Sequence, residues 1–304
     1  MSRKTLIITL LFAWLLAACG ASSPASGNLT FIDGLGREVK LEAPAQRVVS
    51  LAPSNTEILF AIGAGSQVVG RDEFSDYPAE AASVESVGGS MGQYSAEAIV
   101  ALKPDLVLAA EINTPELVKQ LEDLGLTVYY LKNPTTLEEM YGSLEIVGQL
   151  TGHNVSDLID SLEARVQAVD EKVALASARP TVFYEIDATD AAKPYTYGPG
   201  TFGDLLITRA GGENLAAAAG ITDPYPQVSL EQVVAADPGF IVLGDSMWGT
   251  TPESVKARAG WDVIDAVKND RIFPFDDNLV SRPGPRLVDG LEQLAKLLHP
   301  DLFK

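Results

Sequence analysis

Short apolar runs alternate with amphipathic segments along most of this chain. The runs 106–109 and 240–243 have the length and composition of buried strands. The segment 155–176 instead carries apolar residues three or four positions apart, a spacing that is typical of a helix. Strands that alternate with helices predict an α/β fold with mainly parallel sheets.

The same patterns predict the positions of the individual elements. Strands are expected at 47–51, 68–70, 106–109, 127–131, 181–184, 240–243 and 272–274, the last at a sheet edge because it contains a proline. Helices are expected at 54–63, 95–102, 115–124, 155–176, 201–209 and 285–298. Ser54 and Glu57 fit a capping box at the start of the first helix. At 1.5 Å per residue, the helix over 155–176 would be about 33 Å long.

One pattern occurs twice in the chain. Residues 97–108 align with 231–242, and each segment begins with glutamate, continues as a helix, turns at proline and enters an apolar strand. The fold class predicted is therefore α/β, with two Rossmann-like lobes joined by one long rigid helix. A cleft between the lobes would bind a ligand, since small-molecule sites favour domain interfaces.

The N-terminus has the pattern of a lipoprotein leader. Arg3 and Lys4 precede an apolar run that is too short to span a bilayer comfortably, and the run ends in small residues before Cys19. Lipidation of Cys19 would anchor the protein to a membrane and place it outside the cytoplasm. The predicted organisation is a signal peptide at 1–18, a flexible tether at 19–28, an N-terminal lobe at 29–150, a linking helix at 151–178 and a C-terminal lobe at 179–304.

Charge and composition exclude several classes of function. The chain has 41 acidic and 22 basic residues, a net charge of −19, which argues against nucleic-acid binding and suits docking on a basic partner. One cysteine and two histidines cannot supply a zinc site of the usual spacing. We therefore expect no intrinsic cofactor or metal site, and any metal would arrive inside the ligand.

Two motifs suggest enzymes but lack the context that catalysis needs. The glycines of 198–203 fit a dinucleotide fingerprint, yet a loop of about ten residues separates them from the preceding predicted strand. Residues 244–246 resemble the start of a serine-hydrolase motif. A nucleophilic serine needs a nearby base, and neither His153 nor His299 is followed or preceded by a suitable acid. An extracytoplasmic hydrolase is thus disfavoured, and a surface adhesion or signalling lipoprotein is a further alternative.

Several segments in order resemble the substrate-binding proteins of iron-siderophore and vitamin B12 ABC importers, closest to the cobalamin-binding members. These segments are 47–57 (RVVSLAPSNTE), 75–78 (SDYP), 87–89 (VGG), 99–107 (IVALKPDLV), 210–214 (AGGEN), 226–229 (PQVS) and 282–286 (RPGPR). The resemblance implies an ABC permease and its ATPase as partners, a monomer, and a corrinoid that carries its own cobalt. The alternative within the class is a ferric siderophore or haem, which carries iron.

The resemblance also implies roles for individual residues. Glu97 and Glu231, which open the internal repeat, match glutamates that dock on the permease. The positions implied to contact the ligand are Phe74, Met91, Tyr195, Tyr225, Asn278 and Arg282. Ala110 stands where the cobalamin binders have a gripping tryptophan, a departure that leaves the ligand open between corrinoid, siderophore and haem.

Overall fold

The structure is a computed structural model that describes residues 29–304. The predicted signal peptide, the tether and the proposed lipidation site Cys19 lie outside the described residues.

The N-terminal lobe is built on a four-stranded parallel sheet. A hairpin of β1 (Leu29–Ile32) and β2 (Glu38–Leu41) precedes it. The sheet has the order β4-β3-β5-β6. Its strands are β3 (Val48–Ser50), β4 (Val68–Arg71), β5 (Leu106–Ala110) and β6 (Val128–Leu131).

The C-terminal lobe is built on a five-stranded sheet. Its path is β11-β10-β7-β8, and β9 also pairs with β7. Only β8 is antiparallel to its neighbour, and β11 lies at the edge as predicted. The strands are β7 (Thr181–Asp187), β8 (Tyr195–Thr196), β9 (Glu213–Asn214), β10 (Phe240–Leu243) and β11 (Ile272–Pro274).

Twelve helices surround the two sheets in the described part of the chain. They are α1 (Pro53–Ala61), α2 (Ala96–Ala101), α3 (Pro115–Asp123), α4 (Leu137–Thr151), α5 (Ser156–Val173), α6 (Phe202–Arg209), α7 (Leu215–Ala218), α8 (Leu230–Ala236), α9 (Pro252–Lys256), α10 (Asp265–Lys268), α11 (Asn278–Ser281) and α12 (Leu287–Leu298). Short 3-10 turns occupy Gly65–Gln67, Ala79–Ser83, Ser90–Gly92, Gly244–Trp248 and Pro300–Phe303.

One hydrophobic core runs through both lobes. Successive strand residues point to opposite faces of a sheet, so Val48 joins this shared core while Val49 packs in a core of the N-terminal lobe alone. In the second sheet, Val242 belongs to the shared core and Ile241 to a local one. Residues of α4, α5 and α12 complete the shared core, which therefore holds the two sheets together along the linking segment.

The internal repeat is visible in the backbone. Ser95 caps α2 by accepting a hydrogen bond from a main-chain N–H, and Ser229 caps α8 in the same way. After each helix, one residue adopts the left-handed conformation before the proline: Lys103 with φ 48° and Asp237 with φ 43°. The same unit of helix, left-handed turn and strand is thus built once in each lobe.

Two local predictions need correction. Ser54 does not cap α1, because the N-cap is Ala52 and makes no side-chain hydrogen bond. Glu57 is buried and paired with arginines of the other lobe, so it does not form a capping box. The linking helix α5 is shorter than the predicted 155–176. It has 18 residues, about 27 Å, and begins where Asn154 accepts the N–H of Ser156.

Candidate functional site

The candidate site is the cleft between the lobes. Parallel strands bring their carboxyl ends to one edge of a sheet, where ligands of α/β proteins bind. The loops that follow β3, β5 and β6 meet the end of α11 across a cavity of about 290 Å³. Its lining residues are Ala52, Pro53, Ser54, Ala110, Ile112 and Asn133 from the N-terminal lobe and Ser281, Arg282 and Pro283 from the C-terminal lobe.

The predicted ligand residues of the N-terminal lobe lie on loops beyond β4. Phe74 is 52% exposed and Met91 is 94% exposed, so both present apolar groups to solvent. Met91 lies between Gly89 and Gly92 and has a φ of 50°, which is uncommon for a residue with a side chain. Exposure of these side chains is compatible with ligand contact and leaves that role a prediction.

The predicted residues of the C-terminal lobe surround a tyrosine cluster. Tyr195 begins β8, and Tyr225 packs against Tyr197 with ring centroids 6.1 Å apart. Tyr225 is 57% exposed. Burial raises its pKa, and the carboxylate of Glu111, which belongs to the other lobe, raises it further. Asn278 is half-buried and donates its amide to Asp276 at 2.8 Å.

Asp277 anchors this cluster from beneath. The hydroxyls of Tyr184 and Tyr197 donate to Asp277 Oδ1 at 3.0 and 3.1 Å. Burial raises the pKa of Asp277, although these hydrogen bonds stabilise its charged form. The arrangement fixes the orientation of Tyr197, which in turn supports the ring of Tyr225.

Arg282 is part of an ion-pair network that bridges the lobes. Its Nη1 donates to Glu57 Oε1 at 3.1 Å and to Asp76 Oδ1 at 2.6 Å. Arg286 donates from Nε and Nη2 to the same Glu57 carboxylate, at 2.8 and 2.5 Å, and its guanidinium lies 3.9 Å from the ring centroid of Tyr77. We call Glu57, Arg282 and Arg286 the brace. Within it, the positive charge of Arg282 is paired with a carboxylate of the protein itself.

Glu97 and Glu231 flank the cleft, one on each lobe. Each lies exposed in the first turn of its helix, α2 or α8. A helix that leads into a parallel strand starts at the carboxyl edge of the sheet, so both glutamates lie on the cleft side of their lobes. Hydrogen bonds from its own main chain and from Ser229 lower the pKa of Glu231, which favours the charged form of this side chain.

Three exposed residues near the cleft escaped sequence reasoning. Trp248 follows β10 and Ile112 follows β5, both at carboxyl ends of strands, and Tyr77 contacts the brace. The signal for Trp248 and Ile112 was their position a few residues after a predicted strand. The signal for Tyr77 was its place in the segment 75–78.

The features that suggested enzymes have structural roles. Ser246 donates its hydroxyl to the main chain of Phe275 at 3.2 Å. His153 pairs with Gln67, and His299 pairs with the carbonyl of Gly211, so both histidines are half-buried packing residues. The glycines of 198–203 follow the antiparallel strand β8, which is not the context of a dinucleotide site.

Between residues 29 and 304, no group of three or more histidine, cysteine or acidic side chains is placed to hold a metal ion. None of the helices in that range has both the length and the apolar character to cross a membrane.

Two curated proteins are similar to this chain over nearly its whole length. The ABC transporter substrate-binding lipoprotein YvrC of Bacillus subtilis is 34% identical, with 97% of this chain and 96% of that protein covered. A cobalamin-binding protein of Halobacterium salinarum is 30% identical, with 97% of this chain and 84% of that protein covered.

Two solved structures of periplasmic binding proteins have a similar fold. The vitamin B12 binding protein BtuF of Vibrio cholerae superposes with a TM-score of 0.68 at 29% identity, over 86% of this chain and 99% of that one. The periplasmic heme-binding protein RhuT of Roseiflexus superposes with a TM-score of 0.75 at 28% identity, over 85% of this chain and 99% of that one.

The sequence profile of the periplasmic binding protein family matches residues 48–279, which include strands of both parallel sheets and the linking helix. The match agrees with the α/β fold and its parallel strands. The chain therefore belongs to the periplasmic binding protein family, and it is a binding protein rather than an enzyme.

Proposed function

We propose that this chain is the substrate-binding lipoprotein of an ABC importer and that its cargo is a corrinoid. The coarser part follows from the family: it is an extracytoplasmic binding protein that serves an ABC importer of vitamin B12, haem or siderophores. Lipidation of Cys19, a monomeric state and the corrinoid itself are the proposed refinements.

The corrinoid proposal rests on one observation with two parts. Aromatic rings are exposed on both lobes, and the nearby arginines already bind groups of the protein. Phe74 and Tyr225 offer apolar faces from opposite lobes, which suits a large flat ligand. Arg282 is held by Glu57 and Asp76, and Arg71 donates to main-chain carbonyls. These two arginines are therefore not available to neutralise an anionic ligand.

Two exposed carboxylates favour the same conclusion. Glu111 follows β5 and Asp276 follows β11, and both lie at the carboxyl ends of strands. A haem propionate or an anionic siderophore would be repelled by these groups, while a corrinoid offers neutral carboxamides around its ring. Cyanocobalamin also brings its own cobalt, so the protein need not supply a metal ligand.

The permease interface is proposed at Glu97 and Glu231. The two carboxylates begin equivalent helices and lie on either side of the cleft. A transporter with two-fold symmetry and a basic surface could engage both in the same way. Docking there would hold the cleft, and the ligand in it, against the transporter.

Titration of the purified protein with cyanocobalamin tests the cargo. We expect one-to-one binding in the submicromolar range, followed by quenching of tryptophan and tyrosine fluorescence. Haemin and a ferric hydroxamate siderophore, titrated in the same buffer, should bind at least about tenfold more weakly, a difference of about 1.4 kcal/mol. Tight binding of haemin or the siderophore without binding of cyanocobalamin would move the cargo to that chelate.

A further inference from the structure

A second cavity, separate from the interlobe one, opens at the carboxyl ends of β7 and β10. It measures about 570 Å³ and belongs to the C-terminal lobe alone. Its lining residues are Ile186, Asp187, Ala188, Thr189, Asp245, Trp248 and Thr250. The cavity lies on the same sheet edge as the tyrosine cluster, since Gly244 packs against both Tyr184 and Asp277.

Asp245 is a buried carboxylate with one unused acceptor. Its exposed fraction is 4%. Oδ2 accepts the hydroxyl of Thr250 at 2.7 Å, but Oδ1 is buried and has no hydrogen-bond partner in the part of the chain that the structure describes. A buried acceptor without a donor is unfavourable, so a ligand that donates to it would be favoured.

The charge around Asp245 is not balanced by the nearby cation. Arg258 donates to both oxygens of Glu185, at 2.5 and 2.7 Å, and its charge is thereby matched. Burial raises the pKa of Glu185, and the charge of Asp245 and a hydrogen bond between the two side chains raise it further. Asp187 adds a further exposed carboxylate at the cavity. The cavity therefore has an excess of negative charge.

Trp248 forms an apolar wall at the mouth of this cavity. It is 81% exposed, an uncommon state for so large an apolar side chain, and it lines the cavity together with the two aspartates. An indole ring offers a broad flat surface at low entropic cost. The cavity thus combines carboxylate acceptors with a flat apolar surface.

We propose that Asp187, Asp245 and Trp248 form a subsite for a group that donates N–H bonds. Given the proposed function, on which this assignment rests, the group is a primary carboxamide on the rim of the corrinoid, and Trp248 contacts the edge of the macrocycle. A primary amide provides two N–H donors for the carboxylates. A carboxylate at the same place would meet two like charges.

Cyanocobalamin derivatives in which one peripheral carboxamide is a carboxylate provide the test. At pH 7.5, at least one of these monocarboxylates should bind the wild-type protein about tenfold or more weakly than cyanocobalamin. Asp187→Asn and Asp245→Asn should each reduce that ratio to within about threefold, because each removes one repelling charge. Thermal unfolding of each variant verifies that it is folded.

Asp190→Asn is the matched control. Asp187 and Asp190 each accept the N–H of the residue two positions later, at 2.6 and 3.0 Å, but only Asp187 lines the cavity. The control should keep the wild-type ratio. Equal ratios in the wild type, Asp187→Asn and Asp245→Asn would overturn the subsite.

A measurement without a corrinoid separates this subsite from the proposed function. Failure of cyanocobalamin to bind the wild type would refute the corrinoid cargo, and the subsite is then judged with propionamide and propylammonium. Trp248 is exposed and Trp261 is buried, so a change of emission would report mainly on Trp248. A change in the wild type and Asp190→Asn that is lost in Asp187→Asn supports the subsite, and identical responses in all three contradict it.

Discussion

The two lobes are alike where they begin the repeated helix and unlike where they face the cleft. Ser95 and Ser229 cap equivalent helices, and Glu97 and Glu231 follow each cap at the same distance. At the cleft, the N-terminal lobe presents Phe74 on a loop, whereas the C-terminal lobe presents tyrosines held by an aspartate. The proposed permease with two-fold symmetry would need similar docking surfaces on the two lobes. The proposed corrinoid is asymmetric, so its contacts with the two lobes can differ.

The largest effect is expected when the two equivalent glutamates, one on each lobe, are removed. Glu97→Ala combined with Glu231→Ala should reduce ligand uptake by cells more than ~30-fold, since truncating one member of an interfacial charge pair costs about 2–5 kcal/mol. Ligand affinity of the purified double variant should not change. Uptake is measured with radiolabelled cobalamin in cells that depend on this protein.

Glu116→Ala is the control for that experiment. Glu116 is also an exposed acid in the first turn of a helix, α3, but has no counterpart in the repeat. Wild-type uptake by the Glu97 and Glu231 double variant would show that the similarity of the lobes has no role in docking.

Removal of the brace should have the next largest effect. Glu57→Ala leaves Arg282 and Arg286 without their shared buried carboxylate, so we expect a loss of about 3–5 kcal/mol in the free energy of unfolding. Urea unfolding followed by circular dichroism measures this. Glu292→Ala, which breaks a more exposed pair with Arg165, should cost about 1 kcal/mol or less. Equal losses would mean that the brace does not stabilise the contact between the lobes.

The sequence was sufficient to predict strands and helix starts that depend on residues close together in the chain. The apolar runs gave the parallel strands, and Ser95 and Thr201 marked helix starts that the structure confirms. The hairpin of β1 and β2 was missed although its strands alternate in burial around Asp33–Gly34, a signal of period two.

The sequence failed where the partner is distant. Glu57 fits a capping box with Ser54, yet its partners Arg282 and Arg286 are 225 and 229 residues away. The unused acceptor of Asp245 was equally hidden, because its burial depends on residues from several loops. Local patterns carry no information on such pairings.

The smallest effect is expected at the tyrosine cluster, where Asp277 should make the free energy of unfolding depend on pH. The pKa of Asp277 is raised by burial in the folded protein, so its charged form opposes folding at neutral pH. Compared with Asp277→Asn, the wild type should gain stability as the pH falls through this raised pKa towards the unfolded value of about 3.9. Urea unfolding of both proteins at several pH values measures the difference, and a constant difference would show that Asp277 titrates normally.

The central claim is that one corrinoid contacts both lobes. Calorimetric titration of Phe74→Ala and Tyr225→Ala with cyanocobalamin tests it most directly, with the exposed Leu175→Ala as a control outside the cleft. Because a buried aromatic contact contributes about 1.5–3 kcal/mol, each cleft variant should bind about 10- to 100-fold more weakly and the control should bind normally. Unchanged affinity in either cleft variant would contradict a ligand held between the two lobes.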